Sequence, residues 1–186
     1  MPSAGHKRET RLAMAGLLFA LYYYASPFLT EHGLKAAVHA ADADRIAAFV
    51  DFPALRQSTK EQITARLARK LGYGNAGAAL AFLPASKLAD GLIDSYVSRD
   101  GLTLLLAQVG DRPEGRVDEL FANATDGFTG LTRFCITLHP DGTVPVNLYL
   151  QRGLWSWKLV EIEIPDEAFE RLQARGIPLS EGGAAP

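Results

Sequence analysis

The chain has 186 residues, 48% of them hydrophobic and 22% charged, an ordinary globular composition long enough to build one core of its own. Its 19 basic and 21 acidic residues give a net charge of -2, so the basic excess that a phosphate backbone demands is missing and nucleic acid is not an expected partner. Cys135 is the only cysteine, which excludes an intrachain disulfide and a multi-thiolate zinc site.

The N-terminus carries His6, Lys7, Arg8 and Arg11 ahead of a stretch from Leu12 to Leu29 that holds no charged residue and is interrupted only by Gly16, Ser26 and Pro27. Eighteen residues rise ~27 Å as a helix, close to the ~30 Å of a bilayer's hydrocarbon, so residues 12–29 are predicted to be a transmembrane signal-anchor helix. Tyr22, Tyr23 and Tyr24 fall near its outer end, where amphipathic rings favour the interface. Basic flanks resist translocation, and Glu31 stands on the other side. Residues 1–11 are therefore predicted to be cytoplasmic and the remainder periplasmic, in a single-pass protein of a bacterial inner membrane. Cleavage after Ala25 would put the bulky Tyr23 at the third position upstream, a poor fit to a signal-peptidase site. No cysteine follows the apolar run to accept a lipid anchor.

Residues 30–176 are expected to form one α+β domain. From Glu31 to about Val50 the pattern is helical, with Leu34, Ala37, Val38 and Ala41 on one side and Ile46, Phe49 and Val50 after a break marked by Asp42 and Asp44. A second helix runs from about Pro53 to Leu71, started by Asp51 and Pro53, with Leu55, Ile63, Leu67 and Leu71 as its apolar stripe and Arg56, Lys60, Arg66, Arg69 and Lys70 opposite. Gly72 to Gly77 is a joint. Pro84 opens a third helix on Leu88, Leu92, Ile93, Tyr96 and Val97, weakened by Gly91. Leu102 to Val109 fits a short helix or a buried strand, and Asp100 as a cap favours the helix; Asp111 to Arg116 reads as a loop.

The last third changes period. Phe134, Ile136 and Leu138 alternate with Arg133, Cys135 and Thr137 over Thr132 to His139, the pattern of a half-buried strand. Asp141-Gly142 makes a hairpin turn into a second strand on Val144, Val146, Leu148 and Leu150, with Pro145 at its start. Arg152-Gly153 turns the chain again into a third strand, Leu154 to Ile164. There Trp155, Trp157 and Leu159 face one way and Val160, Ile162 and Ile164 the other, so a bulge or bend is predicted near Leu159. A closing helix from Asp166 to Arg175 buries Phe169 and Leu172, and residues 177–186 form a disordered tail. No internal repeat is present. Helices followed by an antiparallel meander predict helices packed on one face of a three- to four-stranded sheet, an arrangement compatible with the cone of nuclear-transport-factor-like domains.

Chemistry-bearing patterns are sparse. Gly72-Tyr73-Gly74-Asn75-Ala76-Gly77 spells G-x-G-x-x-G, but the motif needs a strand before it, and the run from Ile63 to Leu71 is helical. His32 and His39 are seven apart rather than four, which is not metal-pair spacing, and His139 stands alone. Asp42, Asp44 and Asp51 read as helix caps. Cys135 sits mid-strand among apolar neighbours, where a thiol is inert packing. The basic face from Arg56 to Lys70 offers an alternative to a plain solvated surface, namely contact with anionic lipid. Phe134, Tyr149, Trp155 and Trp157 are the candidate lining of an apolar pocket between sheet and helices, against the commoner use of such rings in a core. No catalytic, cofactor-binding or metal residues are assigned, and no cofactor is expected.

Tyr24-Ala25-Ser26-Pro27-Phe28-Leu29, Ala41-Asp42-Ala43-Asp44 and Val50-Asp51-Phe52-Pro53-Ala54-Leu55-Arg56 together resemble a bacterial family known as domain of unknown function 2939. Trp157-Lys158-Leu159-Val160, with Ile164-Pro165, is similar to that family's last strand. The resemblance runs from Tyr22 to Pro165. Its signature residues here are Ser26, Pro27, Asp42, Asp51, Phe52, Pro53, Leu55, Arg56, Trp157, Lys158 and Leu159; Ser58-Thr59 departs from the Ser-Leu pairing of the pattern. The resemblance implies an N-terminal membrane segment or signal and an envelope-facing domain, and brings no activity, cofactor or catalytic residue. The reading that follows is a non-enzymatic, membrane-tethered domain binding an envelope protein or a small apolar ligand. The rival is a hydrolase or isomerase that uses Asp51 or His139 in a cleft.

Overall fold

The structure is a computed structural model and describes residues 4–71, 86–88, 90–103, 121–139, 145–163 and 165–167. Its first element is one helix, α1, Ala4–His39. The two helices expected on either side of residue 30 are thus a single rod, which continues through Pro27. A proline inside a helix has no N–H to give the carbonyl four residues back, here that of Tyr23. The Ser26 hydroxyl donates to that carbonyl instead, at 2.9 Å, so the rod passes the proline without an orphaned acceptor. The break expected at Asp42 is present: Ala41 turns the chain at φ 47°, and the Asp42 carboxylate accepts from the Arg45 N–H at 3.0 Å to start α2, Ala43–Ala48. Gly33 lets this hairpin close, since a Cβ there would lie 2.7 Å from the Phe49 ring. Leu34, Ala37 and Ile46 are buried between the two helices.

Asp51 caps α3, Phe52–Leu71, accepting from the Ala54 N–H at 3.1 Å. The expected start at Pro53 is one residue late because Phe52 already has helical geometry. Leu55 is buried and Ile63 half-buried, as the stripe requires; the side chains of Leu67 and Leu71 lie outside the described residues. In the expected third helix, residues 86–88 and 90–96 are helical, followed by 99–103. Of its expected apolar face only Ile93 is buried, while Leu88, Leu92 and Tyr96 are exposed. The glycine-rich joint at 72–77, residues 104–109, the loop at 111–116, the turn at 141–142, the body of the closing helix and the tail lie outside the described residues.

Four strands form one antiparallel meander in the order β1 (Thr125–Gly130), β2 (Arg133–Leu138), β3 (Val146–Arg152) and β4 (Trp157–Glu163). Three correspond to the expected strands. The third begins at Trp157 rather than Leu154, because Gly153 to Ser156 form a turn closed by Gly153 N–H donating to the Ser156 carbonyl at 2.8 Å. β1 was invisible to periodicity: in Thr-Asp-Gly-Phe-Thr-Gly, Asp126, Gly127 and Gly130 are poor strand formers, and Phe128 is its single large apolar side chain. The predicted bulge is there. Tyr149 pairs with Glu161 and Leu150 with Leu159, so Val160 is the extra residue, and the shift carries both Leu159 and Ile162 to the face of Leu148 and Leu150.

That face is the core. Phe134, Ile136, Leu138, Leu148, Leu150, Trp157 and Leu159 are buried on it. The open edge of β4 is covered by the chain between α2 and α3: Leu159 N–H donates to Phe49 O at 2.8 Å and Asp51 N–H to Leu159 O at 2.9 Å. Farther along, the Gln62 side chain of α3 donates to Ile162 O at 3.0 Å. The architecture is α+β, with a long apolar N-terminal helix, further helices and a four-stranded open sheet.

Candidate functional site

Two places concentrate specific interactions, one on each face of the sheet. The first is where α1 meets the core. Trp157, 1% exposed, turns its indole N–H to the Ser26 hydroxyl oxygen at 2.8 Å, and the Arg152 guanidinium donates to the same oxygen at 2.8 Å. With its proton on Tyr23 O and both lone pairs filled, the Ser26 hydroxyl has no bonding capacity left. Arg152 lies 4.3 Å over the Tyr23 ring and 5.6 Å from that of Trp157, and the Tyr23 hydroxyl donates to Leu131 O. Around them Phe28 and Phe134 meet edge-on at 5.0 Å, Phe128 and Phe134 at 5.3 Å, and Tyr24 stacks on Phe128 at 5.4 Å. The outer third of the apolar N-terminal stretch therefore packs one side against the sheet, with Ser26 and Pro27 buried there while Tyr24 and Leu29 stay exposed.

The second place is the opposite face of the sheet, lined by Arg133, Cys135, Thr137, Asn147, Tyr149, Glu161 and Glu163. Arg133 pairs with Glu161 and stacks over the Tyr149 ring at 4.2 Å. Thr137 donates to Asn147 at 2.9 Å, Asn147 to Glu163 at 3.1 Å and the Tyr149 hydroxyl to Glu163 at 3.0 Å. Burial, then the hydrogen bond and charge of Glu163, push the Tyr149 phenol up to about 12. It stays a neutral donor near neutral pH and is not a base. Cys135 lies 3.7 Å from the Thr137 hydroxyl.

Beside the first place lies a carboxyl pair. Glu31 of α1 shares a hydrogen bond with Asp126 of β1, C-terminal to the exposed apolar part of the helix. Burial chiefly, then the charge of Asp126 and their hydrogen bond, raise Glu31 to about 7 against the opposing charge of Lys35. No sequence signal marked this pair, because β1 itself was not legible.

The expected pocket lining does not converge. Phe134 and Trp157 lie in the core, where Phe28 and Phe128 fill the space against them. Tyr149 points from the other face, and Trp155 is 87% exposed in the turn between β3 and β4. Alternation along a strand puts Tyr149 and Leu150 on opposite sides, which is why a shared pocket fails. The enzyme reading finds no paired site either: Asp51 caps α3 beside Leu159, whereas His139 holds Asn123 O at 3.2 Å at the far end of β2. His32 is exposed on α1 and His39 closes its last turn; among the described residues no group of His, Cys, Asp and Glu is arranged to hold a metal ion. Among the described side chains the basic face of α3 is engaged within the fold, Lys60 with Asp94 at 2.8 Å, Arg66 with Asp166 at 2.8 Å and Arg69 with Asp166 at 3.2 Å; Arg56 donates to Phe52 O at 3.3 Å, and the Lys70 side chain lies outside the described residues.

Several of the signature residues, by contrast, take part in the contacts that join the elements, while Pro53 is exposed. Ser26 meets Trp157, Lys158 donates to Ala48 O, Leu159 pairs with the Phe49 to Asp51 segment, Asp42 and Asp51 cap consecutive helices, and Pro27 and Leu55 are buried. They join α1, the α2–α3 connection and β4. Helix α1 also contains, from Glu9 to His39, a stretch long and apolar enough by length and composition to cross a membrane, a property that signal sequences share. Residues 17–105, just under half of the chain, match the family model described as "Protein of unknown function (DUF2939)". The match takes in α1 from residue 17, then α2 and α3, and stops short of the sheet, so the Trp157-Lys158-Leu159 part of the resemblance lies outside it. No curated protein and no solved structure matches the chain.

Proposed function

We propose, on the premise that residues 17–105 belong to the family DUF2939, that this chain is a membrane-tethered domain whose helix α1 is both anchor and structural member. One observation carries the reading: α1 is a single rod, apolar and exposed from Leu12 to Tyr22 and joined to the sheet between Tyr23 and Phe28 by ring contacts and the buried Ser26. A cleavable signal would not contribute a buried Ser26 that holds Trp157 and Arg152, nor Tyr24 and Phe28 as ring partners of the sheet. The helix is retained, the N-terminus is cytoplasmic, and the sheet stands on the periplasmic side of a bacterial inner membrane. The domain works by binding rather than catalysis. A protein partner is favoured over a small apolar ligand, since the space between α1 and the sheet is filled by the chain's own rings, while the Arg133, Tyr149, Glu161 and Glu163 face presents fixed charges and donors.

A topology reporter fused after Pro186 tests the tether. Activity of a periplasm-dependent reporter, with the intact chain remaining in membranes after alkaline extraction, is the expected result. A soluble product, or a mature chain beginning near Ser26, overturns it.

A further inference from the structure

The lipid-facing part of α1 is short for a span. Leu12 to Tyr22 rise ~16 Å as a helix, against ~30 Å of hydrocarbon. A short span is accommodated by local thinning, by long basic side chains such as Arg11 snorkelling at one end, and by drawing the bilayer surface onto whatever stands at the other. What stands there is set by the direction of β1, which runs antiparallel to α1: Glu31 meets Asp126, Phe28 and Tyr24 meet Phe128, and Tyr23 meets Leu131. Moving toward the N-terminus of α1 therefore means moving toward the β1–β2 turn. The meander places the β3–β4 turn at the same end, fixed by Arg152, whose N–H donates to Thr132 O at 2.9 Å and whose guanidinium covers Tyr23. These two turns carry Leu131, Leu154 and Trp155, exposed by 84%, 88% and 87%. At one end of the sheet, level with the membrane-proximal tyrosines of an anchor helix, stand Trp155, whose ring suits the acyl chains and whose N–H suits the headgroups of an interface, and two exposed leucines that add apolar surface beside it.

We propose that the β1–β2 and β3–β4 turns are a second membrane contact, with Leu131, Leu154 and Trp155 seated in the interface of the same bilayer that α1 crosses. The proposal rests on the tethered reading above. It makes the sheet a fixed platform: its long axis is held to the membrane at two points, and the β2–β3 end, with His139, is directed away from the lipid.

The test uses the full chain in vesicles of phosphatidylcholine and phosphatidylglycerol. A Cys135→Ser background receives one of Leu17→Cys, Leu131→Cys, Leu154→Cys or Gln57→Cys, each labelled with an environment-sensitive fluorophore and quenched by lipids spin-labelled near the headgroup or at mid-chain. The proposal predicts quenching at position 17 by the deep label, about twofold quenching at 131 and 154 by the shallow label, the depth at which interfacial aromatic side chains reside, and none at Gln57. Quenching at 17 with 131 and 154 behaving like 57 overturns the second contact and leaves the tether standing; that outcome would also fit a protein covering the turns. Absence of quenching at 17 as well overturns both. The labelled turn positions have no role in the core, and a Trp155→Glu substitution adds a check that needs no label there: it should reduce the shallow quenching at position 131, and undiminished quenching contradicts the proposal.

Discussion

The two ends of the apolar stretch in α1 have similar side chains and opposite fates. From Leu12 to Tyr22 leucines and aromatics project into open space, whereas from Tyr23 to Phe28 they are packed against β1, β2 and β4. Hydrophobicity does not separate them. What does is a pair of residues that a lipid-facing helix has little use for: Ser26, whose hydroxyl serves Tyr23, Arg152 and Trp157 at once, and Pro27, whose missing N–H makes the first of those bonds necessary. An exposed apolar helix can thus be continuous with a segment packed on a sheet, and the polar atoms mark where one becomes the other.

Removing the sheet's side of this junction has the largest effect. Trp157→Ala deletes the largest fully buried side chain and should cost about 3–5 kcal/mol in denaturant unfolding, enough to unfold a marginal domain; a loss under about 1 kcal/mol would mean the sheet does not depend on this contact. Ser26→Ala, on the helix side, strands the Trp157 indole N–H, one bond of Arg152 and the Tyr23 carbonyl, and a loss of about 1–3 kcal/mol is expected by the same measurement. The Glu31–Asp126 contact gives a smaller, pH-dependent effect. Glu31 at about 7 binds its proton more tightly in the folded chain than its ordinary value of 4.5 allows, so its contribution is full below 4.5 and is lost as pH rises through 7. Stability should fall across that window in the parent chain and fall less in Glu31→Gln; identical slopes in melting series from about pH 5 to about pH 8 would count against the shared proton. At the other end of α1, Leu17→Ala should leave sheet stability within about 0.5 kcal/mol, and a larger change would place the exposed half in the core as well.

Much of this architecture was legible. Alternation along Phe134 to Leu138 and Val146 to Leu150 gave two strands, the switch of apolar side at Leu159 and Val160 gave the bulge, and Asp42 and Asp51 gave two helix starts, because each of these signals is local. Three features were not local. β1 is held as a strand by pairing to β2 in spite of Gly127 and Gly130. The continuity of α1 through Pro27 depends on a hydroxyl whose other partners are 126 and 131 residues away. Trp155 and Trp157, two apart in one aromatic run, looked equivalent, yet the turn at Gly153 to Ser156 leaves one in the open and puts the other in the core. The candidate site suffered most from this, since grouping rings by type could not reveal which face of the sheet each would occupy.

Everything rests on Ser26 and Trp157 joining α1 to the sheet. A double-mutant cycle in denaturant unfolding of the detergent-solubilised full chain, with Ser26→Ala, Trp157→Phe and the pair, measures that directly. The account predicts a coupling of about 1–2 kcal/mol between the two sites. Strict additivity of the two substitutions would contradict it.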